Sequence, residues 1–160
     1  IWSTPLFAAA SSPALAEDSD AARARAALGQ WLQLRLGPLA AGFTIDDGSG
    51  LSREARVSAH ALGALLQWAW RSPAMPELVS SLPLVGVDGT LRRSTAAPGR
   101  AHLKTGSMRD VAAVAGYVLS DSGRRYVLVA LLNDPNAPHA HAVLDAAIDW
   151  VAHDPQHATP

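Results

Sequence analysis

Two apolar runs around a turn signal constrain the fold of this chain more than any other feature of its sequence. Residues 111–120, VAAVAGYVLS, and residues 124–133, RRYVLVALLN, are separated only by Asp121-Ser122-Gly123. Each run has the length and the apolar content of a strand, and a short polar segment that ends in glycine favours a tight chain reversal. The sequence therefore predicts a β-hairpin over residues 111–133.

The remaining elements are assigned from hydrophobic periodicity, capping residues and helix breakers. They are a helix from Asp20 to Gly37-Pro38, a short strand at 42–47, a helix over about 53–71 with Ser52 as its cap, a strand at 101–105, and a helix that Asn136 caps. Residues 72–100 are rich in Pro, Gly, Ser and Arg, which indicates a long surface excursion. This order predicts an α+β fold in which helices flank an antiparallel sheet. Three tryptophans at helical positions are predicted to pack in the core: Trp68, Trp70 and Trp150.

Charge and composition argue against several classes of function. The 160 residues carry a formal net charge of −1 and no run of more than two basic residues, so nothing provides an electrostatic footprint for nucleic acid. The sequence has no cysteine for a disulfide or a thiolate site, and no apolar stretch long enough to form a transmembrane segment. Residues 1–18 have a signal-like apolar run broken by prolines and serines, so we expect a linker or disordered segment there, and a loose tail over 154–160.

Lys104 is the only lysine among the thirteen basic residues, and it stands in Lys104-Thr105-Gly106-Ser107. At the end of a strand, a lysine offers a compact charge to an anion, Thr105 and Ser107 add hydroxyl groups, and Gly106 lets a ligand approach the backbone closely. The N–H that follows such a glycine could also point at a developing oxyanion. The competing interpretation is a solvated lysine that enters a turn. Because the chain otherwise uses arginine, a lysine here favours a role that needs an amine.

The segment DDGSGLSR, residues 46–53, holds two further candidates. Ser49 lies between two glycines, but the spacing of a nucleophile elbow and a nearby base are both absent, which favours a glycine turn. Arg53 could bind a carboxylate from the first turn of the predicted helix, or it could be an ordinary exposed arginine.

Histidines give two weaker signals. His139 and His141, with Asp145 one turn later, could form a metal pair, but no third ligand is evident and solvated histidines are favoured. His102 should share a strand face with Lys104, because side chains two residues apart point to the same side of a strand. It could line the same cleft or cover an edge of the core.

Three segments together resemble the penicillin-recognising serine peptidases, and among them the D-alanyl-D-alanine carboxypeptidase/endopeptidase family of the penicillin-binding protein 4 type. They are DDGSGLSR (46–53), LPLVGVDGTLRR (82–93) and HLKTGSMRDVAAVAGYVLSDSGRRYVLVALLN (102–133). The resemblance covers roughly residues 19–152 and implies the β-lactamase/DD-peptidase (transpeptidase-like) fold. It also implies a periplasmic enzyme without a cofactor or metal, which cleaves peptidoglycan stem peptides through a serine acyl-enzyme and is acylated by β-lactams.

The resemblance also implies roles for individual residues. Lys104 would hold the terminal carboxylate of the peptide and assist proton movement, Thr105 would hydrogen-bond that carboxylate, Gly106 would leave room for the substrate, Ser107 would supply one oxyanion N–H, and Met108 and Arg53 would line the pocket for the stem peptide's side chain. We therefore expect Lys104 and Ser107 to take part in catalysis and the other four residues to bind substrate.

Two motifs of the family are absent from this sequence. Ser-x-x-Lys needs a serine three residues before a lysine, but Ala101 holds that position before Lys104. Ser-x-Asn needs a serine two residues before an asparagine, and neither Asn133 nor Asn136 has one. In the family both motifs precede the matched region. We therefore expect residues 19–153 to be the C-terminal portion of the catalytic domain, with its N-terminal part missing.

Two hypotheses about function follow. In the first, the chain is part of a serine-type D-Ala-D-Ala carboxypeptidase/endopeptidase and is inactive in isolation because the nucleophile is absent. In the second, it is a non-catalytic truncated remnant or a module that binds peptidoglycan peptides. In both, a sheet that has lost neighbouring elements predicts marginal stability for the isolated chain.

Overall fold

Within residues 20–154, the part of the chain that the structure describes, this computed structural model contains four α-helices, five strands and two 3₁₀-helices. The linker expected at residues 1–18 and nearly all of the expected tail lie outside these residues. The chain divides into two compact units, one that ends at Leu65 and one that begins at Leu66. The elements are α1 (Asp20–Leu36), a 3₁₀-helix (Gly37–Gly42), β1 (Phe43–Thr44), β2 (Arg56–Val57), α2 (Ala59–Trp70), α3 (Met75–Ser81), β3 (Ala101–Met108), β4 (Val111–Leu119), β5 (Arg125–Asn133), a second 3₁₀-helix (Ala137–His139) and α4 (His141–His153).

The first unit confirms the predicted first helix. Helix α1 begins at Asp20 and buries Ala24 and Leu32 on one face. It ends where Gly37 adopts a φ of +55°, a left-handed conformation that glycine accepts without a steric penalty. The predicted strand at 42–47 is confirmed as a shorter one, because only Phe43 and Thr44 form β1, paired with Val57 and Arg56 of β2.

The helix predicted to follow Ser52 begins six residues later than expected. The hydroxyl of Ser52 accepts hydrogen bonds from the backbone N–H groups of Glu54 and Ala55, at 3.0 and 3.1 Å, and so closes a local turn. The next residues form strand β2, and α2 starts at Ala59. Ser58 is the capping residue, because its hydroxyl accepts the N–H of Ala61 at 3.1 Å.

The second unit is built on a three-stranded antiparallel sheet in the order β3-β4-β5. The predicted hairpin is confirmed, with Val111 opposite Asn133 and Leu119 opposite Arg125. Strand β3 pairs along its whole length with β4 and extends to Met108, three residues beyond the predicted strand. The strand is longer because Gly106 continues the ladder, paired with Ala113, instead of starting a turn.

The core of the second unit lies between one face of this sheet and helix α4. Leu103, Val114 and Val118 on the sheet and Ile148 on the helix are almost completely inaccessible to water. The helix after Asn136 is confirmed in type and in its buried face. However, a 3₁₀ turn precedes it, and the side chain of Asn136 makes no capping hydrogen bond. Trp150 was expected in the core but is 60% exposed, whereas Trp68 and Trp70 are half-buried.

The prediction that residues 72–100 form a surface excursion is wrong. The segment contains helix α3, and its second half contributes four residues to the same core: Val85, Leu91, Ala96 and Ala97. Backbone hydrogen bonds tie it to β3, from Val85 N–H to the Ala101 carbonyl and from Leu103 N–H to the Pro83 carbonyl, both at 2.9 Å. Proline and glycine indicate turns correctly, but they do not reveal that these turns are packed against a sheet.

Candidate active site

Strand β3 has an outer edge that is paired along its first half and open along its second half. Residues 101–103 are paired with the segment Pro83–Val85, and Leu84 forms a bridge with His102. Beyond Leu103, no backbone hydrogen bond joins this edge to another segment within residues 66–154. The open half carries Lys104, Thr105, Gly106 and Ser107, so the structure places the predicted motif on an unpaired strand edge.

The alternation of a strand decides which backbone groups face this open edge. The carbonyl of Ala101 and the N–H of Leu103 both point outward, since both bond to the segment at 83–85. The same alternation turns the N–H and carbonyl groups of Thr105 and Ser107 outward as well. The edge therefore presents two N–H donors, at Thr105 and Ser107, to an extended ligand.

The side chains of the motif are exposed or half-buried, and they make few hydrogen bonds. Lys104 is exposed, and its Nζ donates a hydrogen bond to the outward carbonyl of Thr105 at 2.7 Å. The Thr105 hydroxyl lies 2.5 Å from the hydroxyl of Thr90, and Ser107 is exposed. An ammonium and two outward backbone N–H groups thus lie along one strand edge, whereas the Thr105 and Ser107 side chains lie on the strand face opposite to that of Lys104. The ammonium and the N–H groups are suited to binding a carboxylate and a neighbouring carbonyl oxygen.

Thr90 is a residue that was not singled out as a candidate from the sequence. It belongs to the loop at 82–93, where the side chain of Asp88 accepts the N–H of Leu84 at 2.5 Å. The sequence signal was present, since this loop is one of the three segments that resemble the peptidase family. The hydrogen bond between the Thr90 and Thr105 hydroxyls joins this loop to the motif.

Packing within the chain does not explain why residue 106 is glycine. A Cβ atom built at Gly106 would lie 3.6 Å from the Cβ of Ala113, an ordinary van der Waals contact, and its φ is not in the left-handed region. The residue is exposed. Space at Gly106 is therefore free for a molecule outside the chain, as the expected role requires.

Met108 and His102 lie at the two ends of the motif. Met108 is the half-buried last residue of β3, opposite Val111 across the two-residue turn at Arg109-Asp110. His102 is half-buried and falls on the same strand face as Lys104, as expected, and its buried Nδ1 has no hydrogen-bond partner within residues 20–154. An unpaired buried ring nitrogen two residues from Lys104 leaves a polar group beside the motif.

Arg53 is not in the first turn of a helix, contrary to the expectation. It lies in the bend between β1 and β2, where its carbonyl accepts a hydrogen bond from the Arg56 guanidinium. It belongs to the first unit and Lys104 to the second, so its role in binding a stem peptide stays a prediction.

Ser49 is held in a turn of its own. Its hydroxyl donates to Asp47 Oδ1 at 2.8 Å and accepts the N–H of Leu51 at 3.0 Å. The backbone N–H and the hydroxyl of Ser49 together lower the pKa of the Asp47 carboxyl below its ordinary value. Gly48 and Gly50 both have a positive φ. These contacts are those of a glycine turn, the interpretation that the sequence favoured.

The histidines near α4 are exposed, and Asp145 accepts a hydrogen bond from Ser94 at 2.8 Å. Among residues 20–154, no group of three His, Cys, Asp or Glu side chains is placed to hold a metal ion. In the same range, no helix is both long and apolar enough to cross a membrane.

Comparison with known proteins places these features in a family. The family model for the D-Ala-D-Ala carboxypeptidase 3 (S13) family matches residues 14–154. A D-alanyl-D-alanine carboxypeptidase of Actinomadura sp. is 37% identical over 133 residues, which cover 78% of this chain and 24% of the relative. Carboxypeptidase DacB of Mycolicibacterium smegmatis is 35% identical over 114 residues, which cover 66% of this chain and 25% of the relative. The chain thus spans about a quarter of the length of these curated relatives.

Solved structures show the same fold. Penicillin-binding protein 4 from Haemophilus influenzae matches with a TM-score of 0.61 at 22% identity, over 82% of this chain and 30% of that protein. A predatory endopeptidase from Bdellovibrio bacteriovorus matches with a TM-score of 0.69 at 14% identity, over 86% of this chain and 42% of that protein. These comparisons confirm the resemblance found in the sequence and the predicted α+β fold class.

Proposed function

We propose, because the chain belongs to the D-Ala-D-Ala carboxypeptidase 3 (S13) family, that β3 is the substrate-binding strand of a serine-type D-Ala-D-Ala carboxypeptidase/endopeptidase. The observation that carries the proposal is the open edge at residues 104–107, where two outward N–H groups lie beside the Lys104 ammonium. The proposed substrate is a peptidoglycan stem peptide that ends in, or is cross-linked through, D-alanine.

In this proposal the peptide adds to the sheet as an extra antiparallel strand alongside β3. The N–H groups of Thr105 and Ser107 donate hydrogen bonds to it, which gives affinity through main-chain contacts. The Lys104 ammonium binds the terminal carboxylate, and it either keeps or gives up its hydrogen bond to the Thr105 carbonyl. The Thr105 hydroxyl donates a further hydrogen bond to the same carboxylate. Gly106 keeps the approach to the strand clear, and Met108 and Arg53 are proposed to contact the side chain of the stem peptide.

The proposed reaction is acyl transfer to a serine. The serine oxygen attacks the carbonyl of the penultimate D-alanine and loses its proton to a base, and the terminal D-alanine leaves with a proton as the acyl-enzyme forms. Water then hydrolyses the ester and restores the serine. The N–H of Ser107 stabilises the oxyanion in both steps. This sequence has no Ser-x-x-Lys, so the nucleophile is not among these 160 residues and the isolated chain binds without turnover.

The second candidate function is a module that binds peptidoglycan peptides without catalysis. It is consistent with the sequence because the only lysine, Lys104, has no serine three residues before it, and so the 160 residues contain no Ser-x-x-Lys motif. Both candidates use the β3 edge. They differ in whether a serine from elsewhere acts at it.

β-Lactams are the second proposed ligand class, and the periplasm is the proposed location. One structure of penicillin-binding protein 4 from Haemophilus influenzae contains a bound β-lactam. One structure of a Bdellovibrio bacteriovorus endopeptidase shows the enzyme acylated by penicillin G. We propose that a β-lactam carboxylate would bind Lys104 as the peptide carboxylate does.

The test uses the 160-residue chain with two tripeptide isomers and with penicillin G. Calorimetry is expected to show binding of a tripeptide that ends in D-Ala-D-Ala, with a dissociation constant of about 10 μM to 1 mM, and much weaker binding of its L-Ala-L-Ala isomer. Mass spectrometry after incubation with penicillin G is expected to show no covalent adduct. Equal binding of the two isomers would contradict the proposed specificity, and a stable penicilloyl adduct would show that a nucleophile is present after all.

A further inference from the structure

A cavity of about 320 Å³ lies between the end of α2 and the first residues of β5. Six of the residues that line it carry polar or aromatic groups: Gln67, Trp70, Arg71, Tyr117, Arg125 and Tyr126. Arg125 is paired with Leu119, at the end of β4. The lining residue Tyr117 is two residues along β4 from Ala115, the partner of Lys104, but no residue of β3 lines the cavity.

The charges that line this cavity are all positive. Arg71 and Arg125 contribute two guanidinium groups, and no acidic residue is among the lining residues. Within residues 66–154 neither guanidinium has a salt bridge to a carboxylate. Burial raises the pKa of the Tyr117 phenol, and burial together with the neighbouring Asp154 carboxylate raises that of Tyr126. Both phenols are therefore neutral at physiological pH, and the lining carries a formal charge of +2.

A chain of contacts holds one of these guanidiniums in a defined orientation. The Arg125 Cζ atom lies 5.5 Å from the centre of the Trp70 ring, a cation–π contact. The Trp70 ring packs against Tyr117 with centroids 5.1 Å apart, and the Tyr117 hydroxyl donates to the Leu66 carbonyl at 2.8 Å. Arg125 is exposed, so the N–H groups of its planar fork can bind an anion while the guanidinium stays over the ring.

We propose that this cavity is a second ligand site, which binds a carboxylate group of an acidic peptide through Arg125 and Arg71. A carboxylate matches the guanidinium fork in shape, and two parallel N–H···O bonds to it are charge-assisted. Gln67 adds an amide that can pair with a peptide group of the same ligand. The site is separate from the Lys104 edge and does not depend on the function proposed there.

The test compares two peptides that differ only in charge. Acetyl-Glu-Glu amide is expected to bind the 160-residue chain saturably and to shift the Trp70 indole N–H resonance in NMR spectra, whereas acetyl-Gln-Gln amide binds at least about tenfold more weakly. Glutarate is the third probe. Saturable binding of glutarate with the same shift assigns the site to free dicarboxylic acids as well as to peptides.

Substitutions test whether the acidic peptide binds in this cavity. Arg125→Gln is expected to weaken binding of the acidic peptide about tenfold or more, and Arg125→Lys, which keeps the charge but lacks the fork, to weaken it less. Arg92→Gln removes an exposed arginine outside the cavity and is expected to leave this binding unchanged. The proposal is overturned if the acidic peptide does not saturate, if the neutral peptide binds as well, or if Arg92→Gln weakens binding as much as Arg125→Gln.

Discussion

Gly116→Ala is expected to destabilise the chain by about 3 kcal/mol or more, a large part of the free energy of unfolding of a small domain. Gly116 lies in the middle of β4, opposite Leu103, with a φ of +148°. A Cβ atom there would lie 2.1 Å from the carbonyl oxygen of His102 and 3.2 Å from the Cα of Leu103. Both obstacles are backbone atoms of a paired strand, so relieving the clash requires the backbone of β3 or β4 to shift. Urea unfolding followed by circular dichroism measures the effect.

Gly106→Ala is the matched control, because it adds the same methyl group ten residues earlier on the neighbouring strand. The new Cβ atom would make only an ordinary contact with Ala113, and alanine is preferred to glycine in a strand. Stability should therefore stay the same or rise slightly, whereas binding of the D-Ala-D-Ala peptide should weaken. A Gly116→Ala variant as stable as the parent chain would contradict the close β3–β4 register, and undiminished binding by Gly106→Ala would remove the proposed role of that glycine.

Lys104→Ala is expected to weaken binding of the D-Ala-D-Ala peptide by at least about tenfold, which corresponds to the loss of one charge-assisted hydrogen bond. Stability should change by less than about 0.5 kcal/mol, because Lys104 is exposed and its one hydrogen bond is to a carbonyl at the open edge. Calorimetry with the parent and variant chains measures the binding, and thermal unfolding verifies that both are folded.

Two further variants separate a specific role from simple charge. Arg109→Ala removes an exposed cation from the turn directly after β3, and it is expected to change the dissociation constant by less than about twofold. Lys104→Arg keeps the charge but replaces the compact ammonium by a planar fork, so binding should fall between that of the parent and that of Lys104→Ala. If Arg109→Ala and Lys104→Ala weaken binding equally, the affinity for the peptide depends on the net charge of the chain and not on the Lys104 motif.

The features that could be predicted from the sequence were those with a local signal. The hairpin followed from two apolar runs around Asp121-Ser122-Gly123, and α1 followed from its periodicity and the Gly37-Pro38 stop. The motif at Lys104 was identified by its single lysine, and the comparisons confirm the family that this segment indicated together with residues 46–53 and 82–93. Its role in binding was an expectation from that resemblance and stays a proposal.

The errors arose where two local signals competed or where distant residues decided the outcome. Ser52 and Ser58 both precede possible helix starts, but only Ser58 stands directly before the apolar run of α2, while residues 56–57 pair with β1. Burial of Val85 depends on pairing with Ala101, sixteen residues away, which no local pattern in a Pro- and Gly-rich segment reveals. The contact between Thr90 and Thr105 likewise joins residues that are 15 positions apart, so no local pattern reveals it.

The most direct test of the central claim is a backbone NMR titration of the 160-residue chain with the D-Ala-D-Ala tripeptide. The account predicts that the amide resonances of Thr105 and Ser107 shift the most and that these two amides become protected from hydrogen exchange, since both N–H groups face the open edge of β3. The amides of Lys104 and Gly106, which face β4, should change little. Saturable binding that leaves Thr105 and Ser107 unshifted, or no binding at all, would contradict the assignment of the β3 edge as the substrate-binding strand.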